Sequence, residues 1–202
     1  MIETPNSLLR FFEKEEHAYQ FLAGSVRFGS LKYYREAEGS RKDASEGLSS
    51  VYFRGPHPIH TTLVSLHRYY ALSTAHAEAD VSLLVEKYGR FMVRINRPQK
   101  LLARIRAAWQ QHELAEDRRD AFIAPVEYTK DELRDADAFY RSPVHLQYSQ
   151  KHRSSELDRE YRYLLKCKVD VKRVWESHLT LTLPNCEDLC HAPVVYEEAI
   201  KS

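Results

Sequence analysis

With 202 residues, 43% of them hydrophobic and 29% charged, the chain suits one domain with a real core under a solvated surface. Thirty Lys and Arg against 29 Asp and Glu leave a formal charge of +1, so no global field draws it to nucleic acid or an anionic membrane, and such a role needs a local patch. No apolar run approaches the roughly 18 residues of a membrane span, the N-terminus lacks the basic head and apolar run of a signal peptide, and Cys167, Cys186 and Cys190 make no disulfide framework. The expected setting is therefore a reducing cytoplasm.

In chain order, residues 6–23 read as a first helix. Asn6 or Ser7 caps it, Leu8, Leu9, Phe12, Tyr19 and Leu22 recur near helical spacing, and Gly24 is a natural stop. Residues 25–29 read as a short strand and 31–36 as a turn of helix, followed by a polar, glycine-containing loop. Strands are expected at 49–53, 59–66 and 68–73, with His67 between the last two and Gly55, Pro56 and Pro58 as breakers. A helix over 78–88 ends at Gly89, and 90–95 alternates as a strand does. Pro98 opens a helix to about residue 113 that carries Leu101, Leu102, Ile105 and Trp109 on one face. A strand at 122–128, a charged helix at 130–141 and the strand pattern at 158–169, the longest in the chain, follow. Residues 173–183 supply a further strand pair, and the tail from 185 is irregular or short helix. Strands and helices that do not strictly alternate predict a single α+β domain over 1–202. Its sheet is mixed and largely antiparallel, with flanking helices.

Several chemistries lack their motif. There is no GxGxxG after a strand, no GxxxxGK[ST], no GxSxG and no HExxH. Cys186, Cys190 and His191 form CxxxCH, and a structural zinc site needs a fourth ligand, for which His178 is one candidate; packing or surface chemistry is the expected role and no metal is assigned. Thirteen tyrosines, with pairs at Tyr33-Tyr34 and Tyr69-Tyr70, fill half-buried strand faces or stack on a flat ligand. Trp109 and Trp175 read as core or interface.

Three stretches can carry chemistry. Residues 21–47 place Arg27 on a strand and Arg35 and Arg41 after it, among Glu36, Glu38, Asp43 and Glu46. This is either a solvated charged loop or an edge where Arg27 or Arg35 meets a phosphate. Residues 69–74 form an aromatic strand ending in Ser73 and Thr74; Ser73 either caps the next helix or binds a ligand amide or ribose. Residues 156–162 put Asp158, Glu160 and Arg162 at alternate positions of a strand, hence on one face. That is either a salt-bridged strand end or a carboxylate tuned inside a cleft.

Taken in this order, the pattern FLxGxxRFGSLxYYRxxE…RxDxxEG, then YYALS, then an acidic-x-Glu-Tyr-Arg strand preceded by Lys151, resembles an uncharacterised family of bacterial and phage proteins. The resemblance spans residues 8–166. That family is distantly similar to the ADP-ribosyltransferase fold, and some relatives resemble abortive-infection or toxin proteins. The resemblance implies catalytic roles for Arg27, Ser73 and Glu160. It implies NAD contacts from Arg27, Arg35, Tyr70, Thr74 and Asp158, with Arg35 the alternative to Arg27 and Tyr69 or Tyr70 the alternatives to Ser73. NAD would be the substrate, with no metal. The first acid of the family's ExE is Asp158 here, which weakens the expectation of an arginine acceptor.

Two further readings stand beside this one. One is a non-catalytic nucleotide- or protein-binding module of the same fold. The other is a nucleic-acid-binding protein or nuclease, which would use the basic run of Arg90, Arg94, Arg97, Lys100, Arg104 and Arg106. No membrane partner is expected.

Overall fold

The computed structural model describes residues 4–36, 48–54, 59–64, 68–115, 117, 120–128, 134–141, 151, 153–167 and 176–197. The expectations placed on Glu38, Arg41, Asp43, Glu46, His67 and Trp175 lie outside these residues. In place of one helix over 6–23, the chain forms strand β1 (Leu8–Phe12) and then helix α1 (Glu15–Leu22). Leu8 and Leu9 are both buried, Leu8 in the main core and Leu9 in a second cluster. A strand buried on both faces carries adjacent apolar residues, and these imitate helical spacing. Glu15 and Glu16 favour the first turn of α1, and Gly24, at φ +97°, stops it as expected.

Strand β2 (Ser25–Ser30) leads directly into helix α2 (Leu31–Glu36). Strands β3 (Leu48–Phe53) and β4 (Ile59–Val64) form a hairpin, and β5 (Arg68–His76) follows. Helix α3 (Val81–Tyr88) is capped by Asp80, whose Oδ1 accepts from the Leu83 amide at 3.3 Å. Ser73 is thus not a helix cap; it lies inside β5. Next come β6 (Phe91–Ile95), α4 (Pro98–Gln110), β7 (Ala121–Pro125), the short β8 (Arg134–Asp135) and α5 (Ala136–Arg141). Of the helix expected over 130–141, Ala136–Arg141 is helical, Arg134 and Asp135 form β8 instead, and 130–133 lie outside the described residues. A 3-10 turn (Arg153–Asp158) precedes β9 (Glu160–Cys167); 168 and 169 of the strand expected over 158–169 lie outside the described residues. Strand β10 (His178–Thr182), a second 3-10 turn (Glu187–Leu189) and β11 (Val194–Val195) complete the order.

The fold is α+β, as the sequence predicts. An eight-stranded, antiparallel sheet runs β10-β2-β5-β1-β6-β11, with β9 paired to β5 and β7 to β9. A second sheet, β4-β3-β8, contains the one parallel pairing, β3 with β8, among the described strands. Helices α1 and α4 cover one face of the large sheet, where Phe21, Leu101, Ile105 and Trp109 join Phe28, Leu72 and Tyr163 in the main core. Burying each such side chain stabilises the fold by about 1.5–3 kcal/mol. Helix α3 lays Leu84 against Leu9, Phe11 and Ala75 on the other face, and α2 brings Leu31 to Tyr69, Ala71 and Leu164.

The central feature is a fork at β5. One edge of β5 pairs with β9 continuously from Arg68 to Ala75. On its other edge β2 takes Tyr70 and Ala71, while β1 takes Ala75 and His76. Leu72, Ser73 and Thr74 lie between the two pairings, where β1 and β2 part. Among the described residues, no helix is long and apolar enough to cross a membrane.

Candidate functional site

Register and side-chain parity decide which of the sequence-selected residues meet. Gly29 stands opposite Ala71, and Ala71 opposite Leu164. Side chains two apart share a face, so Arg27, Ser73, Glu160 and Arg162 all project from the same side of the sheet. Ser73 is directly opposite Arg162, and Ala75 opposite Glu160. Tyr70 and Thr74 fall on the other side. Tyr70 is 2% exposed in the main core and donates its hydroxyl to the Glu176 carbonyl at 3.0 Å. Thr74 Oγ1 donates to the Tyr161 carbonyl at 2.8 Å. Thr74 nonetheless lines the smaller of two cavities at the fork, whereas Tyr70 is outside the lining residues of both.

At the fork Arg10 of β1 reaches across to β5, and its Nη1 donates to the Ser73 carbonyl at 2.5 Å. A carbonyl at a parting of strands needs a partner, and the guanidinium supplies one. Two cavities open beside it. The larger, about 290 Å³, is lined by Arg27, Tyr33, Tyr34, Leu72 and His178 together with Arg10. The smaller, about 30 Å³, is lined by Ser73, Tyr88, Asp158 and Glu160, and shares Arg10 and Phe11 with the first. The structure therefore brings Ser73 and Glu160 together and places Arg27 in the neighbouring cavity, with Arg10 between. Arg35, on α2, is half-buried and outside the lining residues of both.

The acidic end of the site is a buried network. Glu160 Oε1 accepts from Arg162 Nε at 2.6 Å, and Oε2 meets Lys151 Nζ at 2.7 Å. Burial pushes the Glu160 carboxyl up, but Arg162 and Lys151 outweigh it and hold the group well below the usual carboxylate range. The Glu160 amide donates to Tyr128 Oη at 2.7 Å. Asp158 Oδ2 takes Lys87 Nζ at 2.6 Å and the Tyr88 hydroxyl at 2.8 Å. Burial first, then the negative charges of Glu160 and Asp158, raise the Tyr88 and Tyr128 phenols well above their ordinary value. Both stay protonated at neutral pH and can act as donors.

The expectation that Asp158 and Glu160 alternate along one strand needs correcting. Asp158 ends the 3-10 turn, and Arg159 adopts φ +41° before β9 begins at Glu160. Glu160 and Arg162 do share a face and pair as read. The left-handed Arg159 costs about 1–2 kcal/mol relative to ordinary backbone. Its side chain is 57% exposed, so the backbone dominates the effect of replacing it. Arg159→Val, whose branched side chain resists this conformation, lowers stability by about 1–2 kcal/mol in urea denaturation, whereas Arg159→Gly stays within about 0.5 kcal/mol of wild type. Equal stability of the two variants would remove the strain argument.

Arg10 was hidden because its stretch read as helix, and LLRFF then offered no sheet register. Lys87 and Tyr88 gave no sequence signal at all, since only the packing of α3 brings them to Asp158. Two members of the basic run are structural ties: Arg104 meets both Asp188 oxygens at 2.8 Å, and Arg106 Nε donates to the Ala121 carbonyl at 2.7 Å. Cys186 and Cys190 are buried while His191 is exposed, and among the described residues no group of three or more His, Cys, Asp or Glu is arranged to hold a metal ion. Comparison of the chain with protein-family models, with curated proteins and with solved structures gives no match.

Proposed function

We propose that the forked sheet binds NAD, and that the chain is an ADP-ribosyltransferase or NAD glycohydrolase of a bacterial or phage conflict system. The conflict setting rests on the sequence resemblance alone. The observation that carries the chemistry is the fork, which gathers Arg10, Arg27, Ser73 and Glu160 from four strands around adjoining cavities. Arg27 and Arg10 would hold the pyrophosphate, and Tyr33 or Tyr34 would lie against a planar ring. Ser73 and Glu160 would face the nicotinamide ribose. As the glycosidic C–N bond breaks and neutral nicotinamide leaves, positive charge grows on the ribose. An ionised Glu160 opposes it, a contribution of about 3–4 kcal/mol, equivalent to about a hundred- to a thousandfold in rate. The acceptor that then takes the ribosyl carbon is unassigned.

A second reading has its own observation. Both Glu160 oxygens are engaged by cations and the residue is 5% exposed. A carboxylate has about four lone-pair sites, so a ribose hydroxyl can still donate to it, but the ion pairs equally suit a non-catalytic nucleotide-binding module. Calorimetric titration of NAD, with nicotinamide release followed in parallel, separates the two. The enzyme binds NAD, loses affinity in Arg27→Ala, and loses release by a hundredfold or more in folded Glu160→Gln. The module binds NAD without releasing nicotinamide. Absence of binding at millimolar NAD would defeat both.

A further inference from the structure

The larger cavity contains a histidine that the reading above does not use. His178 lies on β10 opposite Gly29, and Thr180 lies opposite Arg27, so His178 and Arg27 are diagonal neighbours on adjacent strands and share a face. Both line the cavity. The Tyr33 ring packs on the imidazole with centroids 4.2 Å apart, which fixes the ring plane. Ser177 Oγ is 2.7 Å from Nδ1, leaving Nε2 as the ring nitrogen for a ligand. We propose that Arg27 and His178 together form a phosphate-binding pair, and that a bound phosphate draws a proton onto His178.

The proposal rests on the reading of this cavity as a nucleotide site, and it adds a linked proton to binding there. Arg27 is charged at every physiological pH and presents a planar fork suited to phosphate oxygens. His178 joins it as a donor at Nε2 only when protonated. In the free protein that proton is disfavoured, by partial burial first and by the Arg27 charge second. An anion seated between the two reverses the second effect and adds an attraction of its own. The other charged or titratable groups around the cavity are Arg10, Glu13, His17, Tyr33 and Tyr34. Glu13 is the one carboxylate among these lining residues; it follows β1, which β2 and β5 separate from β10 in the sheet, and His17 lies on α1. The sign follows directly. A ligand that raises the affinity of His178 for protons binds more tightly at low pH and loses that gain as pH rises through the His178 value in the complex. Each unit of rise in that value is a tenfold gain in affinity at acid pH.

The test is calorimetry of NAD with the full chain at about pH 6 and about pH 8, in buffers of differing ionisation enthalpy. The NAD pyrophosphate does not titrate in this range. Tighter binding at the lower pH is expected, with uptake of up to one proton per NAD, and His178→Gln removes both the uptake and the pH dependence. Equal affinity at the two pH values without uptake, or uptake that persists in His178→Gln, overturns the proposal. Sulfate, a fixed dianion over the same range, supplies the second arm. Its addition shifts the His178 ring titration upward in NMR spectra. A shift with sulfate in a protein that does not bind NAD keeps the phosphate pair and rejects the NAD reading; no shift and no NAD binding reject both.

Discussion

Glu160→Gln lowers the unfolding free energy by about 3–5 kcal/mol. In the wild type two cations converge on this one carboxylate, Arg162 at 2% and Lys151 at 12% side-chain exposure. With glutamine there, both face a neutral amide in place of this carboxylate, where little solvent screens them, and the part of their desolvation that Glu160 offset is lost. Removing one of the cations as well should recover part of the loss. Glu160→Gln/Lys151→Met is therefore more stable than Glu160→Gln alone, a non-additivity that a double-mutant cycle in urea reads directly. The pH dependence has a definite sign. The folded-state pKa of Glu160 is depressed, so its contribution is fully present above the ordinary carboxylate value of about 4.3 and is lost only as pH falls through the much lower folded value. The stability gap between wild type and Glu160→Gln is accordingly flat from neutral pH down to about pH 4.3 and closes only in stronger acid. A gap that closes between about pH 6 and pH 4.3 would show that Glu160 is not held by its two partners. The same loss conditions the kinetic experiment, because an inactive Glu160→Gln is informative only where the variant is shown to be folded.

The sequence made some of this legible and hid the rest, for reasons that differ by residue. Glu160 and Arg162 could be placed on one face because alternation inside a strand is a local rule. Their pairing is the simplest use of two neighbouring opposite charges on one face of β9, whose other charged residue, Lys166, lies further along the strand. Asp158 was misplaced because one left-handed residue, Arg159, interrupts that alternation, and nothing in an arginine announces positive φ. The strand at β1 was missed because a strand buried on both faces leaves no polar residue at every second position. Its loss carried Arg10 with it, the residue that bridges the two cavities. Tyr70 was assigned to a ligand from its place beside Ser73, yet odd and even positions of β5 serve opposite faces, and only the pairing with β2 and β9 says which is the core. His178 was noticed only as a distant fourth metal ligand. Its meaning depends on a neighbour, Arg27, that is about 150 residues away in the chain and adjacent only through the β2–β10 pairing.

Gly89→Ala should be nearly as damaging as the loss of Glu160, and through a different cause. Gly89 closes α3 with φ +111° and ψ 158°, a region that residues with a side chain scarcely enter. A Cβ built there would lie 2.3 Å from the Phe12 carbonyl oxygen and 2.5 Å from the Glu13 amide nitrogen. Those are backbone atoms at the end of β1, a strand locked between β5 and β6, so they cannot simply rotate away. Backbone strain and overlap together cost about 3 kcal/mol. The part of the structure that can yield is the last turn of α3, which carries Lys87 and Tyr88 to Asp158. Relief of the clash therefore loosens the acidic end of the site as well as the fold. Two measurements separate these consequences. Urea denaturation gives the stability loss. Alkaline titration of tyrosinate absorbance gives the local effect, because Tyr88, now held well above its ordinary value by burial and by the Glu160 and Asp158 charges, moves back toward about 10 when its contact with Asp158 is lost. An additional tyrosine ionising near that pH in Gly89→Ala marks the release of Tyr88. A variant with lowered stability and an unchanged tyrosine titration would place the strain in β1 instead, and would free Asp158 of any dependence on the end of α3.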